Sequence, residues 1–219
     1  MTRVETQVIA VDAHEPNPQV IEQAAAAVRS GGLVVIPTDT VYGLVCDPGR
    51  QEAVDTIYRV KRRGRELPLS LLLHDMAQVS VCVRDVPEPA VHAMQQFWPG
   101  PLTIIVGNCR EMTAPVCAGL HSVGLRLPAH MVPRLVAGAA NVALASTSAN
   151  VSGRPASRTA EEAYQQLDGM VPLILDAGPA PLGTESTVLT FMTEPPRALR
   201  EGAISVARLR EVLGEVQAK

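Results

Sequence analysis

Five of the seven residues in Arg59-Val-Lys61-Arg62-Arg63-Gly-Arg65 are basic, in a chain of 219 residues whose formal net charge is -3. Cations concentrated in a net acidic protein mark a place for an anion, although a helix C-terminus also favours them through its dipole. Four hydroxyls and one amide crowd into Ser146-Thr-Ser148-Ala-Asn150-Val-Ser152. Small hydroxyl side chains at a strand end can bond phosphate or sugar oxygens and let a ligand approach the backbone; they also build Asx and Ser/Thr turns. Pro37-Thr-Asp-Thr-Val-Tyr-Gly43 follows the apolar run LVVIP, which places Thr38 and Thr40 outside the carboxyl end of a strand, where open α/β sheets bind ligands. Gly183-Thr-Glu-Ser-Thr187 and Leu199-Arg200-Glu-Gly202 complete the set.

The elements that must hold these segments read as alternating strands and helices. A strand at Thr6–Val11 precedes a helix with Val20, Ile21, Ala24, Ala25 and Val28 at spacings of three and four, and Gly31-Gly32 end it before the strand LVVIP. A helix from Gln51 to about Arg62 and a strand at Leu69–Leu73 follow. Further helices are expected at Pro87–Trp98, Met131–Val136, Thr159–Gln166 and Ser205–Leu213. Strands are expected at Leu102–Val106, Val123–Leu127, Val142–Ala145, Leu173–Asp176, Ser186–Phe191 and Ala198–Arg200. Such interleaving predicts an α/β fold: a mixed, largely parallel, twisted sheet flanked by helices, in one domain over residues 1–219.

Composition removes several functions. With 47% hydrophobic and 19% charged residues the chain is globular, and 1 Trp, 3 Tyr and 2 Phe are too few for a surface that stacks successive bases. The N-terminus lacks a basic region followed by a long apolar stretch, and no apolar run reaches a membrane-spanning length, so a cytoplasmic protein without membrane contact is expected. Cys46, Cys82, Cys109 and Cys117 have neither zinc nor disulfide spacing and are expected to be buried, inert thiols. There is no G-x-x-x-x-G-K-[ST], G-x-G-x-x-G or G-x-S-x-G, and His14, His74, His92, His121 and His130 show no pairing with a nucleophile.

Read in order, PTDTVYGL, K-x-R with P-L five residues later, WPGPLT, VGLRLP, TSANVSG, G-x-ESTV and LREG resemble the YrdC-like threonylcarbamoyl-adenylate synthase family from about Gly31 to Gly202. The resemblance implies an α/β domain around a large concave basic cavity, in the short form without an extra C-terminal domain. It implies a nucleotidyltransferase that joins L-threonine, bicarbonate or CO2, and ATP into threonylcarbamoyl-adenylate and pyrophosphate. A tRNA-modifying transferase complex then carries the threonylcarbamoyl group to an adenosine beside the anticodon, and direct binding of tRNA or double-stranded RNA is a further possibility. By the same resemblance Lys61 and Arg63 are catalytic and clamp the triphosphate. Thr38, Arg126 and Ser186 hold threonine, with Arg126 on its carboxylate, and Ser122, Ser146, Ser148, Asn150 and Arg200 bind the nucleotide.

Magnesium is expected to arrive as Mg-ATP and not on a dedicated protein site, since the sequence has no dense carboxylate cluster. Some relatives carry a histidine near threonine where this chain has Leu72, and His74, two residues on, is a candidate replacement. Gly64 stands where proline often follows K-x-R, which predicts a looser loop over Lys61–Pro68, itself a candidate lid. Two other readings remain open: a carbamoyl-adenylate-forming relative of the kind found in hydrogenase maturation, and a non-catalytic RNA-binding module.

Overall fold

Along Ser122-Val-Gly-Leu-Arg126 small or polar residues alternate with apolar ones, and successive strand side chains point to opposite faces. The small and polar face of this strand decides where the site can be. The computed structural model describes residues 3–218. These form ten strands, β1 (Gln7–Ala10), β2 (Val34–Ile36), β3 (Gly43–Cys46), β4 (Ser70–Leu72), β5 (Leu102–Gly107), β6 (Ser122–Arg126), β7 (Leu144–Ser148), β8 (Leu173–Asp176), β9 (Thr187–Thr190) and β10 (Arg197–Arg200). The helices are α1 (Pro18–Arg29), α2 (Gln51–Lys61), α3 (Val79–Cys82), α4 (Glu88–Phe97), α5 (Met131–Ala140), α6 (Ala160–Leu167) and α7 (Val206–Leu213), with a 3-10 segment at Glu111–Val116.

All ten strands join one sheet in the order β1-β8-β2-β3-β7-β4-β6-β5-β9-β10. The mixed α/β architecture is as expected, but the two senses are nearly balanced. Pairs β1–β8, β2–β8, β4–β6 and β5–β9 are parallel, and the other five are antiparallel. Two short returns contribute to that balance. Residues 37–42 carry the chain from β2 straight back along β3, and residues 191–196 do the same between β9 and β10. Strand β3 escapes the sequence reading because GLVC is four residues long and follows a turn-rich motif.

One face of the sheet is covered along its length. Leu44, Ala145, Leu71, Leu125, Ile104 and Leu189 pack there against Val54 and Ile57 of α2, Ala93 and Met94 of α4, Ala163 and Leu167 of α6, and Leu209 of α7. The other face is covered at one end only, where α1 and α5 bury Val34, Ile36, Val45, Leu72 and Leu144 beneath Ala24, Val28, Val136 and Ala137. Beyond Leu144 the same face of β7 continues as Ser146 and Ser148, and beyond Val45 the same face of β3 reaches Gly43. A polar concavity therefore begins where α1 and α5 stop.

Helix boundaries follow local chemistry. Asn17, Thr159 and Ser205 cap α1, α6 and α7, each side chain accepting from a first-turn amide. After α1, Gly31 has φ +88, and the chain passes so close to the helix that a Cβ on Gly32 would lie 2.9 Å from Ala27 O. Cys46, Cys82 and Cys117 are buried, and burial pushes their thiols up to about 12, 11 and 12, while Cys109 is half-buried. Among the described residues no helix is long and apolar enough to cross a membrane.

Candidate functional site

The concavity has a volume of about 520 Å³. Its floor carries small or polar residues: Ser70 of β4, Ser122, Gly124 and Arg126 of β6, Ser146 and Ser148 of β7, and Thr103 of β5. Two glycines keep it deep, since a Cβ at Gly43 would meet Ser146 Oγ at 3.3 Å and one at Gly124 would meet Ser70 Oγ at 3.0 Å. Thr38, Arg63, Ser186 and Arg200 border the floor. Eight of the ten expected site residues thus line one cavity, and Lys61 and Asn150 do not.

The basic run divides at the end of α2. Arg62 caps the helix in the left-handed conformation (φ 52), and Arg63 N donates to Tyr58 O at 2.9 Å. That reversal turns Arg63 into the cavity, while Arg59, Arg62 and Arg65 stay exposed and Arg65 pairs with Asp55 at 2.9 Å. The run therefore divides between one residue that faces the cavity and three that face solvent.

Two cavity arginines carry their own counter-charge. Arg126 donates through Nη2 to Asp39 Oδ1 (2.5 Å), through Nη1 to Thr40 Oγ1 (2.7 Å) and through Nε to Gly100 O (3.0 Å). Thr40 Oγ1 lies 3.0 Å from Thr38 Oγ1, so Thr38 and Arg126 belong to one buried network. Arg200 donates through Nη1 to Glu185 Oε1 (2.8 Å), through Nη2 to Ser186 Oγ (3.1 Å) and through Nε to Ser186 O (2.9 Å). It clamps the Glu185–Ser186 segment as well as facing the cavity. Thr103 Oγ1, 2.9 Å from Ser186 Oγ, completes this corner.

Arg63 is different. It donates to the neutral Pro68 O (3.0 Å) and Thr147 Oγ1 (3.4 Å), and its buried Nε has no partner among the described residues. Burial, chiefly, holds its pKa below the ordinary arginine value without bringing a guanidinium near neutrality. An arginine in a cavity with no paired carboxylate is a strong seat for an anion.

Lys61 lies behind the cavity wall. It is 2% exposed, and its Nζ donates to Ser148 O, Asn150 O and Asn150 Oδ1 at 2.5, 2.8 and 3.0 Å. Truncation therefore strands buried acceptors, and Lys61→Ala is expected to lower stability by about 1–3 kcal/mol in urea unfolding, where an exposed lysine would give almost no change. Burial first, and the Arg63 charge second, press the Lys61 pKa from 10.5 to about 8. Between about pH 8 and 10.5 the unfolded chain then binds the extra proton. This residue's contribution to stability therefore rises with pH across that window and is flat below it. Lys61→Met is expected to remove that slope in urea midpoints measured at intervals from pH 7.5 to 10.

His74 does not replace Leu72. The strand ends at Leu72, which lines the cavity, so two-residue alternation no longer applies at position 74. His74 lies instead against α5, its carbonyl accepting from Arg134 Nε (3.0 Å) and its Nε2 lying 3.2 Å from Asp75. Gly64 N makes no backbone hydrogen bond, and a Cβ there would meet only the mobile end of Glu66. Gly64→Pro is accordingly expected to raise stability by about 0.4–1 kcal/mol through the unfolded chain, and a melt with lowered stability would reject this.

Sequence reading missed Ser70, Thr103, Thr190, Asp39 and Glu185. Ser70, Thr103 and Thr190 share the cavity wall with the apolar Leu72, Ile105 and Val188 of their own strands, so no polar-apolar alternation marked them in the sequence. Among the described residues no group of three or more His, Cys, Asp or Glu could hold a metal ion.

Comparison with known proteins agrees with this fold. The Sua5/YciO/YrdC family model, described as "Telomere recombination", matches residues 26–202. A Bacillus subtilis protein named threonylcarbamoyl-AMP synthase is 37% identical over 201 residues, which cover 91% of this chain and 58% of that protein. The chain therefore spans little more than half of that relative's length. Pyrococcus abyssi Sua5, solved in complex with L-threonine, superposes with a TM-score of 0.93 at 32% identity, covering 97% of this chain and 62% of that one. Escherichia coli YciO superposes with a TM-score of 0.84 at 26% identity over 93% of this chain and 98% of its own. With the family model spanning most of the chain and the polar concavity formed by the motifs that carry the resemblance, the protein belongs to the Sua5/YciO/YrdC family.

Proposed function

We propose that the protein is an L-threonylcarbamoyladenylate synthase, using L-threonine, bicarbonate or CO2, and ATP supplied as Mg-ATP. The observation that carries this reading is Arg63, a cavity guanidinium without a paired carboxylate among the described residues, facing a floor of hydroxyls. The reaction brings two anions together. Threonine's amine takes up CO2 as a carbamate, whose oxygen attacks the α-phosphorus of ATP while pyrophosphate leaves. Arg63 offsets the repulsion between carbamate and triphosphate from a preorganised position. Arg126 reads the threonine carboxylate with the N–H groups that Asp39, Thr40 and Gly100 leave free, and Thr38 and Ser186 flank the amino acid. Ser122, Ser146 and Ser148 form the nucleotide side, with Asn150 behind Ser148 and Arg200 between the two. Shape and donor placement position the reactants, and Lys61 belongs to the same machinery. The product passes to a tRNA-modifying transferase in the cytoplasm.

The test is pyrophosphate release from ATP by the purified protein, with L-threonine and bicarbonate each supplied, omitted, or replaced by serine and chloride. Release that needs both is the expected result. Release indifferent to threonine favours a carbamoyl-adenylate activity, and no release beside salt-sensitive RNA binding favours a non-catalytic module.

A further inference from the structure

Resting on the synthase reading, we infer that Lys61 serves the nucleotide as a positioning residue: it holds the Ser148–Asn150 turn in place and does not itself ligate a phosphate. An ammonium has three N–H donors, and all three are engaged by Ser148 O, Asn150 O and Asn150 Oδ1. The side chain is fully covered and absent from the cavity wall, so reaching a phosphate would break at least one of these bonds. The turn is bound to the lysine from both directions, because Ser152 N donates back to Lys61 O at 2.9 Å.

The consequence reaches the cavity through Ser148. Asn150 Nδ2 donates to Val151 O (3.1 Å) and Arg154 O (2.7 Å), which fixes Oδ1 as the acceptor facing Lys61. Ser148 Oγ then donates its proton to that same Oδ1 at 2.6 Å. Its lone pairs are left for the cavity, so Ser148 acts as an acceptor. An acceptor suits a ribose hydroxyl or an adenine amino group and repels a phosphate oxygen. Lys61 thus acts on the nucleoside end of the ligand through Asn150 and Ser148, while Arg63, with its unpartnered Nε, meets the phosphates.

The division is tested by calorimetric binding of AMP and of pyrophosphate to wild type, Lys61→Met, Asn150→Ala and the double variant. Lys61→Met is expected to weaken AMP about tenfold and to leave pyrophosphate within about twofold. Asn150→Ala is expected to do the same although the lysine remains, and the double variant to be no worse than either single one. Pyrophosphate weakened about tenfold by Lys61→Met with AMP retained, or losses that multiply in the double variant, would overturn the inference. Amide exchange at Asn150 and Ser152 is expected to rise about tenfold in both single variants, and unchanged exchange in Lys61→Met would equally overturn it. Should wild type bind neither ligand, the synthase reading fails on its own and exchange decides the positioning claim. Should Lys61→Met not fold, Asn150→Ala carries the same comparison.

Discussion

Arg63→Ala is expected to lower threonine-dependent pyrophosphate release about 100-fold or more while leaving the unfolding midpoint nearly unchanged. The asymmetry follows from its surroundings. Asp39 and Glu185 are hydrogen-bonded to Arg126 and Arg200, whereas Arg63 has no directly paired carboxylate among the described residues and keeps more of its field for a ligand. Removing it takes away little that the fold needs, since its partners are one carbonyl and a 3.4 Å contact to a hydroxyl, and its Nε is desolvated without a partner. Arg63→Lys should recover only part of the rate, because a point charge replaces a planar fork. The loss should fall on both kcat and the KM for ATP. Wild-type turnover in Arg63→Ala would remove it from the site.

Gly202→Ala is expected to damage both fold and threonine use. A Cβ at Gly202 would lie 2.2 Å from Glu185 O and 2.6 Å from Ser186 C, backbone atoms that cannot swing aside. The crossing is bonded on each side: Gly202 N and Ile204 N both donate to Thr187 Oγ1 at 2.9 Å, and Ala203 N donates to Glu185 O at 3.0 Å. Overpacking of this kind costs about 1–3 kcal/mol. Relief by displacement would move Ser186 away from Thr103 and Arg200, so the KM for threonine should rise about tenfold or more even at temperatures where the variant stays folded. A variant with wild-type melting and wild-type threonine KM would show that the crossing relaxes without moving the site.

These two expectations differ in how far the sequence anticipates them. The Arg59–Arg65 run announces a cationic feature, but which of its members faces a ligand depends on a left-handed cap at Arg62 that nothing in a row of arginines encodes. Lys61 and Arg63, two residues apart and grouped together by their motif, end in opposite situations, one saturated by carbonyls and one left with a free donor. For Gly202 the glycine is visible, and its reason, contact with residues 17 and 16 positions earlier, is not.

The sequence by itself determined the alternation of elements, the helix ends at Asn17, Thr159 and Ser205, and the alternation along β6, because these depend on neighbours within a few residues. Tertiary structure alone decided the strand order that sets β7, β4, β6, β5 and β9 side by side, and hence which hydroxyls share a floor. It also decided which cations are engaged within the protein, since the ion pair Arg126–Asp39 and the hydrogen bond Lys61–Asn150 join residues 87 and 89 positions apart. Charge compensation acts through space at a few ångströms, and a linear sequence carries no measure of that distance.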